Sequence, residues 1–148
     1  MNIEIIFPMC YLILWTFLIF LFSTTVRLKE IYLNKLLKKK AVDAEQHRHP
    51  PFTEGSFILK NAQRNLANLF EFPVFFYVLC IIILFTNKTD AQFINLAYSF
   101  LYLRIVHSIY HIFFNQLIFN GGFPVRSIFW VPASSILVWM LMRLICTI

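Results

Sequence analysis

Four arginines sit within or beside long apolar stretches of this sequence: Arg27, Arg64, Arg104 and Arg126. Arg64 is followed, at intervals of four and three residues, by Asn68 and Glu71. On a helix turning about 100° per residue these three fall within about 60° of arc and form one stripe. Lys60 extends that stripe by a turn. Arg104, His107, Ser108, His111 and Asn115 make a second stripe, all within about 60° of Arg104's direction. The arginines outnumber Glu71, the one carboxylate among them. Such an excess suits a seat for an anionic ligand, because guanidinium binds a carboxylate through two parallel hydrogen bonds.

Other chemistries fit these residues less well. His107 and His111 have the i, i+4 spacing of a metal pair, but the neighbouring arginines repel cations and no third ligand is placed beside them. His47 and His49 fall in a polar connector, where solvation explains them. The three cysteines, Cys10, Cys80 and Cys146, are far apart inside apolar runs, so neither a zinc knuckle nor a disulfide framework is expected. No nucleophile elbow, phosphate-binding loop or dinucleotide fingerprint occurs. An ion network of Arg64, Glu71 and Arg104 would serve assembly alone, and polar contacts between membrane helices contribute only about 0.6 kcal/mol each.

The elements that must position these residues follow from composition. The chain has 148 residues, 59% hydrophobic, 18% aromatic and only 14% charged. Its 18 phenylalanines cannot all be enclosed by a soluble globule of this length. An integral membrane protein is the expectation. Ile5–Val26 is an uncharged run long enough for a hydrocarbon core of ~30 Å; Glu4 ahead of it and the lack of a small-residue cleavage site argue against a signal peptide. The pattern predicts an all-α, four-helix membrane bundle in a single domain, with spans at about 5–37, 57–86, 91–119 and 125–146. Thr53 or Ser56 is the expected cap of the second span. Asn120–Pro124 should be a tight connection. The net charge of +6 is concentrated, with seven of thirteen basic residues between Arg27 and Arg48. That distribution marks a cytoplasmic connector rather than a nucleic-acid face. The 27–56 and 120–126 connectors should be cytoplasmic and both termini on the opposite side.

At Arg64-x-x-x-Asn68-x-x-Glu71, followed by Pro73, the sequence resembles the MAPEG superfamily. These are membrane-associated proteins in eicosanoid and glutathione metabolism, including microsomal glutathione transferases and prostaglandin and leukotriene synthases. Val26-Arg27-Leu28 resembles the end of the family's first helix, and Arg104-x-x-His107-Ser108 its third-helix Arg-x-x-His-Thr/Ser pattern. Pro124-Val125-Arg126-Ser127 is similar to its Pro-x-Arg-Ser start of the fourth helix. The order and length of the four spans agree as well. His111 and Trp130 stand where several family members carry tyrosine.

The resemblance implies a homotrimer of four-helix subunits with glutathione bound between neighbours near the cytoplasmic face. By matching position, Arg27, Arg64, Asn68, Glu71, Arg104, His107 and Arg126 would line that site, with Ser108 and His111 on the same helix face. Glutathione carries two carboxylates, one ammonium and a thiol, which several arginines and one carboxylate complement. A guanidinium lowers a nearby thiol's pKa. Arg126 is the candidate for that catalytic role, and Ser127 for a hydrogen bond to the sulfur. The expected activity is that of a glutathione-dependent transferase or peroxidase taking lipophilic electrophiles from the bilayer, with glutathione as co-substrate and no metal. Its partners would be a second and third copy of the chain, membrane lipids, glutathione or a similar thiol, and the electrophile. Two alternatives stand beside it: a non-enzymatic lipid-binding or scaffold protein on the same fold, and a proton or anion path through Arg104 and His107.

Overall fold

A computed structural model describes residues 3–36, 54–118 and 122–147. Thr53, the His47–His49 pair and residues 119–121 lie outside these. The first apolar run forms α1 (Ile6–Leu28), which continues through a π-helical turn (Lys29–Leu33) into α2 (Asn34–Leu36). The wider turn changes the phase of the helix, and Glu30 and Ile31 are buried there. Glu30 Oε2 accepts from the Ser56 N–H at 2.9 Å, and Oε1 from the Ser56 hydroxyl. Ser56 also caps α3 (Phe57–Glu71), its Oγ accepting from the Leu59 N–H at 3.2 Å. One serine thus starts a helix and satisfies a buried carboxylate from the previous one.

The second apolar run is not one regular helix. It breaks at Phe72 into α3 and α4 (Pro73–Phe85). Pro73 has no N–H and its ring crowds the carbonyl four residues earlier. Phe72 keeps helical angles, φ −72° and ψ −41°, so the two pieces form one kinked rod. Its N–H reaches the Asn68 carbonyl at a stretched 3.4 Å. Asn87, at φ 56°, then closes α4; the Lys88 and Asn87 N–H groups bond back to Ile83 and Leu84, each at 3.1 Å.

Asp90 caps α5 (Ala91–Phe113), accepting from the Phe93 N–H at 2.9 Å. This helix stops at Phe113, short of the expected boundary at 119. Asn115 adopts φ 41°, which a helix cannot propagate through, and its N–H bonds back to the Tyr110 carbonyl at 2.9 Å. Strand β1 (Leu117–Ile118) then pairs antiparallel with β2 (Phe123–Pro124), Leu117 opposite Pro124 and Ile118 opposite Phe123. Leu117 and Ile118 therefore belong to a strand pair rather than to the helix. Helix α6 follows (Ser127–Thr147).

Helix α5 is the centre of the bundle and packs on α6, α3 and α1. Phe76 of α4 stacks on Phe100 of α5 with ring centroids 4.5 Å apart, both rings fully buried. Arg143 near the end of α6 grips Asp90 at the start of α5, Nη1 to Oδ1 at 2.9 Å. At the other end His107 Nδ1 meets the Arg126 carbonyl at 3.1 Å. The two helices therefore run antiparallel along the whole length of α6. Outward faces are apolar, as at Phe17, Phe75 and Val138, each about 60% exposed. Ile6–Leu36, Phe57–Phe85 and Ser127–Thr147 are long and apolar enough to cross a membrane.

Candidate functional site

The stripe on α5 faces inward. Arg104 is 0% exposed, and His107, Ser108 and His111 are buried beside it. The arginine continues a line of apolar residues, Phe93, Ala97 and Phe100, at helical spacing, so the packing of that face carries it into the bundle. Its Nη2 donates to the Asn68 carbonyl at 3.0 Å, and the guanidinium lies 5.7 Å from the centre of the Phe72 ring. The Asn68 carbonyl is available because the Pro73 kink stretches its bond to Phe72. Arg104 Nε and Nη1, His107 Nε2, Ser108 Oγ, His111 Nδ1 and both amide atoms of Asn65 have no hydrogen-bond partner among the described residues. A carbonyl only accepts, so His107 Nδ1 carries the proton shared with Arg126.

The stripe on α3 is turned differently. Arg64 and Glu71 are exposed and Asn68 is half-buried. The inward face consists instead of Asn61, Ala62, Asn65 and Leu69. Arg64, Asn68 and Glu71 therefore lie at the edge of the enclosed face, turned toward the outside of the single chain rather than toward its axis. Ala62 and Leu69, the apolar neighbours, dictate which face is enclosed, and the three polar residues follow at its edge. No ion pair joins Arg64, Glu71 and Arg104 among the described residues.

Between α1, α3 and the start of α6 lies a cleft of about 580 Å³. Arg27, Arg64, Asn68, His111 and Arg126 line it, together with Ser23. None of its described lining residues is a carboxylate. Glu71, Arg104, His107, Ser108 and Ser127 are not part of the wall. Arg126 stands immediately ahead of α6, where the helix N-terminus already carries partial positive charge. Burial and the nearby Arg64 guanidinium pull Arg126 below the ordinary arginine pKa, yet arginine remains a cation at any working pH. Phe20 and Phe70 are shared with a second, apolar groove of about 390 Å³, whose other walls include Phe17, Leu69, Val74 and Tyr77.

Over residues 5–146 the sequence matches the model of the MAPEG family. The chain belongs to the MAPEG family. Its apolar helices and that membership together make it an integral membrane protein of a family that works in glutathione and eicosanoid metabolism. No curated protein and no solved structure matches it. Within this MAPEG chain the His107 and His111 rings stack with centroids 5.7 Å apart, and no group of three possible metal ligands gathers among the described residues.

Three asparagines matter here beyond the expected set. Asn61 and Asn65 are buried on α3, and Asn115, recognised only as part of the second stripe, lies beyond the end of its helix. Asn115 Nδ2 donates to Asn61 Oδ1 at 3.0 Å, and Arg126 Nη1 donates to Asn115 Oδ1. The i, i+4 spacing of Asn61 and Asn65, in phase with Leu69, is the signal that marks them as inward-facing.

Proposed function

We propose that this MAPEG protein is a glutathione-dependent transferase or peroxidase that acts on lipophilic electrophiles within the membrane. The observation that carries the reading is the carboxylate-free, arginine-walled cleft opening beside an apolar groove. The residues present fit glutathione: Arg27 and Arg64 complement its two carboxylates, and Asn68 and His111 offer neutral hydrogen-bonding groups. Arg104, His107 and Ser108 stand behind that wall as its polar backing rather than as its lining. Glu71, exposed at the edge of α3, is left to meet the ammonium from the rim or from a neighbouring copy in a homotrimer.

Glutathione supplies a thiol whose anion attacks an electrophilic carbon and displaces its leaving group, or attacks a peroxidic oxygen and breaks the O–O bond. The second route releases the alcohol and a glutathione sulfenic acid, which a second glutathione reduces to the disulfide and water. Arg126 provides the positive field that favours the anion, reinforced by the first turn of α6. Ser127, the first residue of α6, stands outside the cleft wall and would donate to the sulfur from beside Arg126 once a bound thiol reaches the helix start. The apolar groove admits the electrophile from the bilayer and holds it near the cleft, so that proximity supplies much of the rate. In this reading α5 is a fourth crossing, because it runs beside α6 from end to end. The basic connector and the cleft then share the cytoplasmic side.

The test is thermal unfolding of the purified protein with glutathione and with an S-alkyl analogue. A ligand bound only by the folded state at a hundred times its Kd adds about 2.7 kcal/mol to the apparent stability. The reading requires a rise with both compounds, larger with the analogue, whose alkyl chain can enter the groove. Unchanged melting with either would favour the non-enzymatic scaffold.

A further inference from the structure

We propose that Asn115, braced by Asn61, is the residue that positions the Arg126 guanidinium in the cleft; the inference rests on the functional reading above. Arg126 lies between β2 and α6, outside both elements, and its long side chain has many rotamers to lose. It is nonetheless held at two points. The His107 ring fixes its main chain through the carbonyl, at 3.1 Å, and Asn115 Oδ1 accepts from its Nη1.

The direction of the Asn115 amide is itself determined. Its Nδ2 donates to Asn61 Oδ1 at 3.0 Å, and Asn61 in turn donates to the Ile112 carbonyl at 3.5 Å from a site only 3% exposed. With the amide nitrogen committed to Asn61, the oxygen is the atom turned to Arg126. The backbone is suited to the residue as well, since φ 41° is a conformation that asparagine tolerates better than most side chains. The chemistry of the brace matters most. A neutral acceptor orients the guanidinium and leaves its charge intact, whereas a carboxylate in the same place would cancel the field a thiolate needs. Among the described residues Asn115 engages Nη1 alone, which leaves the other guanidinium nitrogens for a ligand.

The experiment follows the ultraviolet absorbance of bound glutathione thiolate against pH, with glutathione affinity measured in parallel. Asn115→Gly keeps the backbone angle and removes the brace. Asn115→Asp keeps the shape and the acceptor but adds a charge. Asn61→Ala removes the support from behind. Each should raise the midpoint of thiolate formation, by about one pH unit for Asn115→Gly, which is about tenfold less thiolate at a fixed pH. Asn115→Asp should raise it at least as far. A purely structural role would lower the melting temperature and leave the midpoint in place, and that result overturns the inference. Should Asn115→Gly fail to fold, Asn61→Ala, which changes no charge beside Arg126, decides alone: a raised midpoint supports the brace and an unchanged one rejects it. A midpoint that moves in Arg126→Ala but in none of the asparagine variants rejects this inference and spares the functional reading. A wild-type protein that binds no thiol overturns both.

Discussion

Arg104→Met should leave the unliganded protein more stable than the wild type. The native guanidinium is fully enclosed, with one hydrogen bond to the Asn68 carbonyl, a contact with the Phe72 ring and no carboxylate partner among the described residues. A hydrogen bond from a charged donor contributes about 1.5–3 kcal/mol, and the ring contact about 1 kcal/mol. Against these stands the cost of removing a cation from water, several kcal/mol even after relaxation, with Nε and Nη1 unpartnered. Methionine is close in volume and apolar, so it avoids the cavity an alanine would leave. The balance favours methionine by about 1–3 kcal/mol. For a chain of this size each kcal/mol moves the melting temperature by about 2–4 °C, so a rise of several degrees is expected in mild detergent. A fall of that size would refute the reasoning, because it would mean that the buried charge is already compensated.

Other consequences can be checked separately. Cysteines introduced at Lys35 and Asn87 should label from opposite faces of the membrane; labelling from one face would remove the four-crossing topology. The Arg143 guanidinium holds the Asp90 carboxyl below the usual carboxylate range. Its contribution is therefore present above the unfolded carboxylate pKa of ~4 and is lost as pH falls through the lower folded value. Asp90 is 46% exposed, so screening limits the effect to less than about 1 kcal/mol. Asp90→Asn retains the helix cap and should flatten that acid-side loss in a melting series. Ser56→Ala should cost about 1 kcal/mol for the cap and about 1–3 kcal/mol more for a buried Glu30 oxygen left without its hydroxyl partner. Glu30→Gln should restore part of that stability in the double variant.

Much of this architecture could be read from residue order, and the failures have physical causes. Helix α5 was legible because Phe93, Ala97, Phe100 and Arg104 share one spacing, so the apolar residues identify the face that encloses the polar ones. On α3 the polar residues were read by their mutual spacing alone, and Arg64, Asn68 and Glu71 came out at the edge of the enclosed face. Ala62 and Leu69, small and apolar, held the deciding information. The end of α5 was hidden because Leu117 and Ile118 suit a membrane helix as well as a strand, and only the conformation of Asn115 separates the two. At the Pro73 break the Asn68 carbonyl keeps only a stretched bond from Phe72 and also accepts from Arg104. The link from Glu30 to Ser56 joins distant parts of the chain, which no periodicity reports. Asn61 and Asn115 were similarly hidden as a pair, since their contact is made only when α5 stops where it does.

Equilibrium binding of glutathione to the purified wild type, Arg64→Ala and Arg143→Ala tests the central claim most directly. Arg64 lines the cleft, while Arg143 is engaged with Asp90 at the opposite end of the bundle. A hydrogen-bonded charge pair with a ligand carboxylate is worth about 1.5–3 kcal/mol, so Arg64→Ala should weaken binding by about tenfold or more, and Arg143→Ala should bind as the wild type does. Absence of binding in the wild type, or equal affinity in all three proteins, would contradict a glutathione site in this cleft.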